Sequence, residues 1–218
     1  MKNRHILLGS VVAASLISGI AALTTTSAGA QTIVDEWNTA KFPPPPQLKS
    51  AKIDAKETAL LAMDFTTQTC NVQRRPRCAT SVPKVEKLIT DARAKGVLVI
   101  YSIAGTGATA ASILKELTPA AGETVLPALG PDKFIGSDLE KTLKDKGIKT
   151  VMTVGTQAQT SVLHTAAAAA LRGFKVVVPV DGMSSDDAFP ELYTAWHLAT
   201  ASRISDQVTL TKIDMVGY

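Results

Sequence analysis

Thr58-Ala59-Leu60-Leu61-Ala62-Met63-Asp64-Phe65-Thr66-Thr67-Gln68 decides the fold. It opens with an unbroken apolar run and turns abruptly polar. A run with no polar alternation suits a strand buried on both faces, as in a parallel sheet covered by helices. Downstream, the same kind of run recurs at Val97 to Ile103, Ile148 to Gly155 and Phe174 to Val180, with a short one at Glu123 to Leu126 and a closing one at Gln207 to Ile213.

Helical patterns separate these runs. Pro83 is expected to open a helix with Val85, Leu88, Ile89 and Ala92 on one face, ended by Gly96. Ala110 to Leu117 reads as helical. Ser137-Asp138-Leu139-Glu140 has the form of a capping box for a helix closed by Gly147. Thr160 to Arg172 is Ala-rich. Ser185 is expected to cap a last helix carrying Phe189, Leu192, Trp196 and Ala199 on its inner face. Five or six strands alternating with helices predict a single α/β domain with one open, mainly parallel sheet. There is no internal repeat.

Upstream, Lys2 and Arg4 precede an apolar stretch from Ile6 to Leu23, and Ala28-Gly29-Ala30 has the A-x-A form of a signal-peptidase site. The expected organisation is a cleavable signal over 1–30, an extended Pro-rich arm over 31–50 and the domain over 51–218. Pro43 to Pro46 dictate the extended arm. Losing Lys2 and Arg4 lowers Lys+Arg from 23 to 21 against 19 Asp+Glu, so a formal net charge of +4 becomes +2. So small an excess gives no reason to expect nucleic acid as a partner. No stable membrane insertion is expected after cleavage, and the address is periplasmic or secreted.

In an oxidising compartment, Cys70 and Cys78, the only cysteines, read as a disulfide. Closing so short a loop contributes about 2–3 kcal/mol in a chain-entropy account. His164 and His197 have no ligand-like spacing, so no metal and no cofactor are expected. Gly105-Thr106-Gly107-Ala108-Thr109-Ala110 matches G-x-G-x-x-A but follows the second strand, and no ribose-binding acid ends a following one. It reads as a rim loop.

Open α/β sheets bind ligands at the carboxyl ends of their strands. Two such ends are polar: Asp64 to Gln68, and Gly155-Thr156-Gln157-Ala158-Gln159-Thr160-Ser161. An acid at a buried strand end suits proton transfer, although an ordinary turn cap accounts equally well for Asp64 on position alone.

Those residues carry a resemblance. Ala59 to Phe65 is similar to the first strand of the isochorismatase-like hydrolases (the cysteine hydrolase superfamily), which ends in that family's catalytic Asp. Phe134-Ile135-Gly136-Ser137-Asp138-Leu139 resembles the segment before its mid-chain helix. Val154 to Val162, with Thr165-Ala166, Arg172-Gly173-Phe174 and Val180-Asp181, resembles its nucleophile-bearing strand, elbow, helix and next strand. The resemblance implies a three-layer α/β/α fold with sheet order 3-2-1-4-5-6, Asp64 beside the elbow, and self-association into a homo-oligomer.

The chain departs from that pattern in two places. The family's amidases use an Asp-Lys-Cys triad, and Ser161 stands at the Cys position. Counting back from Phe134 to the usual Lys position reaches Ala128, leaving Lys133 as the nearest replacement. A serine needs a stronger positioned base than a cysteine does. Isochorismatases proper, as the resemblance implies, hydrolyse a vinyl ether and can lack the Cys, with the Asp protonating the substrate. The expected function is therefore an exported hydrolase of a small molecule, a carboxylate-bearing one among the candidates. Asp64 is the acid/base, with Lys133 and Ser161 as partners, and Thr156, Gln157 and Gln159 orient the ligand. Arg74, Arg75 and Arg77 offer a carboxylate clamp on the cysteine loop, against the plainer reading of a solvated basic loop. A non-catalytic binding homologue and a Ser161-dependent amide or ester hydrolase are the alternatives. A pairing of Ser161 with His164 has no third orienting group.

Overall fold

The computed structural model describes residues 32–127 and 130–218. The expected signal over 1–30, and Ala128, lie outside the described residues. The chain divides after Phe42. Before that point, the arm read as extended contains a helical turn, Ile33–Glu36, because the Asp35 carboxylate accepts the amide and hydroxyl of Thr32 at 2.7 and 2.9 Å.

In the unit Pro43–Tyr218, six parallel strands form the sheet: β1 Thr58–Met63, β2 Leu98–Ser102, β3 Thr124–Leu126, β4 Thr150–Thr156, β5 Lys175–Pro179 and β6 Val208–Thr211. Their spatial order is β3-β2-β1-β4-β5-β6, and a two-residue strand, Met183–Ser184, adds to the end of β4. This is the 3-2-1-4-5-6 order implied by the resemblance. Every residue of β1 is buried, and its side chains divide between two cores. Leu61 and Met63 join Leu139, Leu143, Val162, Ala166, Ala169 and Leu198 on one face. Leu60 and Ala62 meet Val85, Leu88, Ile89 and Ala92 on the other. The period-2 alternation of a strand thus holds helices on both faces.

Four helices complete the layers: α1 Pro76–Lys95, α2 Leu139–Asp145, α3 Leu163–Leu171 and α4 Ala188–Thr200. Gly96, at φ 80°, ends α1 as expected. The start differs: Pro76, not Pro83, opens it. Pro76 sits at the first turn, where an absent amide costs nothing, and Pro83 lies inside the helix.

Ala110 to Leu117 is not a continuous helix but two 3₁₀ turns, Ala110–Ser112 and Lys115–Leu117. Its backbone is taken by the loop after β1, through a Thr66–Ile113 bridge and the bonds Thr67 N to Ser112 O and Leu114 N to Phe65 O. The expected capping box does not form, because the helix starts at Leu139 with Asp138, not Ser137, at its N-cap. The Ser137 hydroxyl accepts the Leu139 amide at 3.1 Å, but Glu140 turns to Lys144 and Arg172. Asp187, not Ser185, caps α4 by accepting the Phe189 amide at 2.9 Å. That helix is also rotated from the expected face: Thr194, Ala195 and Leu198 are buried, while Phe189 and Trp196 are exposed. The smaller residues permit close approach to the Ala-rich α3 layer, which a Phe–Trp stripe would hold off.

Candidate active site

The sheet register levels three strand ends. Met63 of β1 is paired with Ser102 of β2 and with Gly155 of β4. The approach to β4 is close: a Cβ on Gly155 would lie 2.7 Å from the Met63 carbonyl oxygen. Asp64 follows β1 directly and adopts φ 64°, a left-handed conformation that Asp tolerates better than most residues. Its amide donates to Ser102 O at 3.0 Å, and its carbonyl accepts the Thr66 amide at 2.8 Å and the Thr69 hydroxyl.

The Asp64 side chain is buried and fully engaged. Oδ1 accepts the Ser102 hydroxyl at 2.7 Å. Oδ2 accepts the Ser161 hydroxyl and faces the Lys133 ammonium at 2.8 Å. Lys133 is itself held by its backbone: its amide donates to the Thr165 hydroxyl at 3.2 Å, and its carbonyl accepts the Ser137 hydroxyl at 2.6 Å. Next to it, Phe134 packs on Phe174, with the Arg172 guanidinium 4.6 Å from the Phe134 ring centre. Lys133, immediately before Phe134, thus reaches the acid. Ser161 lies in the wide π-type turn Ala158–Val162 that joins β4 to α3. The Thr156–Gln157 peptide before that turn is cis.

The structure therefore brings Asp64, Lys133 and Ser161 together in one buried cluster. Ser102 is a fourth member that the sequence reading missed. The available signal was its place: a hydroxyl ending an apolar strand next to the one that ends in Asp64.

The expected ligand-orienting residues have protein partners. Buried Thr156 accepts from Arg75 Nη1 at 2.9 Å. Gln157 Nε2 donates to Asp186 at 2.6 Å, and Gln159 Oε1 accepts the Ser185 hydroxyl at 2.7 Å. Each of the three arginines is committed differently. Arg74 is exposed and donates to Gln68 O at 3.1 Å, while Arg77 is exposed and pairs with Glu191 at 2.5 Å. Arg75 is only 3% exposed and pairs with Asp186. His164 is exposed and bonded to Thr160 O, not to Ser161. Gly105 packs against Gln68, in a rim loop without a helix long enough to cradle a pyrophosphate.

Cys70 and Cys78 form the expected disulfide, with Cα atoms 5.3 Å apart. Since these are the only cysteines, the oxidised chain has no thiol to serve as a nucleophile. Among the described residues, no group of three His, Cys, Asp or Glu side chains is placed to hold a metal ion. A carboxylate receiving one ammonium and two hydroxyls can exchange a proton with a ligand, and the ammonium offsets its charge.

Residues 58–203 match the isochorismatase domain family. The chain belongs to the isochorismatase family. The matched stretch runs from the first residue of β1 past the end of α4, so it contains all four members of the cluster. The secreted isochorismatase effector Isc1 of Verticillium dahliae is 31% identical over 116 residues, 49% of this chain and 61% of that protein. The alignment thus spans less than two thirds of the curated relative. An isochorismatase family protein from Desulfovibrio vulgaris superposes with a TM-score of 0.66 at 21% identity, covering 72% of this chain and 95% of that one. N-carbamoylsarcosine amidase from Thermoplasma acidophilum gives 0.62 at 22%, covering 72% and 97%. At these identities the structural likeness bears on the fold alone, which is the isochorismatase α/β/α sandwich.

Proposed function

We propose that this isochorismatase-family chain is an exported hydrolase of a small molecule, with Asp64 as the group that gives and takes the proton. The observation that carries the reading is the buried Asp64 carboxylate, held at the carboxyl edge of the sheet by Lys133, Ser102 and Ser161. For a vinyl ether, the Asp64–Lys133 pair delivers a proton to the alkene carbon. Water then adds to the resulting cation and returns a proton to the pair, and the hemiketal collapses to a carbonyl and an alcohol. Ser161 and Ser102 keep the carboxylate aligned.

A second reading has an observation of its own. The Ser161 hydroxyl donates to Asp64, the first requirement for a serine nucleophile that loses its proton to a neighbouring base. A purely binding role is disfavoured by the Lys133 ammonium, which meets Asp64 and not solvent.

The deciding experiment is a panel of carboxylate-bearing vinyl ethers, amides and esters, with Asp64→Asn and Ser161→Ala beside the wild type. Loss of turnover in Asp64→Asn with at least part retained in Ser161→Ala is the expected result. Retention in Asp64→Asn overturns the proposal, and loss only in Ser161→Ala moves the chemistry to the serine.

Export is supported by the basic and apolar N-terminus, the disulfide and the secreted relative. Protein recovered outside the cytoplasm should begin at Gln31 by N-terminal sequencing.

A further inference from the structure

Arg75 is the buried cation that the chemistry above leaves unused. It lies inside the loop closed by Cys70 and Cys78, at the start of α1. Its guanidinium joins three segments. Nη1 donates to Thr69 O, immediately before the disulfide loop, and to the Thr156 hydroxyl at the end of β4, both at 2.9 Å. Nε donates to Asp186 Oδ1 at 2.8 Å, in the segment leading to α4. The second oxygen of Asp186 accepts Gln157 Nε2 at 2.6 Å. One guanidinium therefore holds Thr156 directly and Gln157 through Asp186, and these two residues lead into the turn that carries Ser161.

The alternatives for these groups are poor. Without Arg75, the buried Thr156 hydroxyl keeps a single contact, to Ser184 O at 3.4 Å. Asp186, whose side chain is 55% exposed, would turn to water and release Gln157. The disulfide matters because Arg75 enters from a loop: it ties both sides of that loop, so the guanidinium is delivered already placed.

We propose that Arg75 is a positioning residue that fixes the Thr156–Gln157 elbow, and that the Cys70–Cys78 disulfide holds Arg75 in place to do so. The consequence for function rests on the reading of Asp64 and Ser161 as the reacting groups; the positioning itself does not. The site is then complete only in an oxidised chain, which links the compartment to the assembly of the active site.

Hydrogen exchange read by mass spectrometry on the full folded chain tests this. In Arg75→Met and in Asp186→Ala, peptides over 156–162 should exchange about tenfold faster, with β1 (58–63) keeping its wild-type protection. Asp186→Glu, which restores the carboxylate, should return the elbow to wild-type exchange. A merely structural surface pair would not produce that recovery, because losing one changes little. Cys70→Ser with Cys78→Ser should loosen the same peptides relative to β1, and adding Arg75→Met should then have no further effect.

Unchanged elbow exchange in Arg75→Met and Asp186→Ala, or equal acceleration in β1, overturns the proposal. Should Arg75→Met not fold, Asp186→Ala, at a half-exposed side chain, decides alone. Turnover supplies the second readout: kcat should fall with KM held within about twofold. Persistent turnover in Asp64→Asn would count against the reading of Asp64 and leave the exchange result standing on its own.

Discussion

Lys133 brings its ammonium to 2.8 Å from the Asp64 carboxylate, with the two side chains 1% and 2% exposed. A charge buried to this degree is tolerated only beside its partner, so each residue is a condition for the other. Removing one partner should be far more damaging than removing both.

Lys133→Met should destabilise the fold by about 3–5 kcal/mol, because it leaves an uncompensated buried carboxylate. Adding Asp64→Asn to that variant should recover part of the loss, since Asn accepts the left-handed φ that position 64 requires. Urea unfolding of the two single variants and the double variant checks this. Additive losses would contradict a coupled pair.

Ser161→Cys should create a thiol that iodoacetamide alkylates, identified by peptide mass after digestion of the still-oxidised protein. The nearby ammonium favours the thiolate. Adding Lys133→Met leaves the Asp64 carboxylate without its counter-charge, which should slow alkylation on the order of tenfold. Equal rates would show that Lys133 does not act on position 161.

Gly155→Ala should open the sheet at the site. The new methyl would fall 2.7 Å from the Met63 carbonyl oxygen and 2.8 Å from its Cβ. The two paired strands must separate where Asp64 and the elbow meet. A loss of about 1–3 kcal/mol is expected, with turnover falling further than for an alanine placed on the exposed surface. Thermal unfolding and the substrate panel read the two effects.

Alkaline titration should show late tyrosines. Burial pushes the hydroxyl of Tyr101 up to about 12; Glu123 adds to this while Arg93 opposes it. Burial, with Asp91 nearby, does the same for Tyr218. The unfolded value is about 10, so both groups favour the folded state fully below that pH and lose their contribution as pH rises through 12. Absorbance at 295 nm should therefore show two of the three tyrosines ionising near pH 12 or only on unfolding. Tyr101→Phe should remove one of these steps.

By itself, the sequence determined what depends on local pattern. The run Thr58 to Met63 suits a strand buried on both faces, since its apolar residues leave no polar side to offer water, and the alternation of such runs with helical stretches leads to the covered parallel sheet. The polar residues ending β1 and β4 marked the edge where a ligand would sit, and an even pair of cysteines implied the disulfide. Tertiary structure decided which distant groups meet. Lys133 could be named but not placed, because its reach to Asp64 depends on the loop after β3 and on the left-handed turn at Asp64. Ser102 is one hydroxyl among many until the pairing of β1 with β2 sets it against the carboxylate. Arg75 reads like its neighbours Arg74 and Arg77, and only the fold buries it against Thr156 and Asp186. Periodicity records how much of each side chain faces the core, but the partner across the sheet is fixed by register and chain reversal, which no single segment contains.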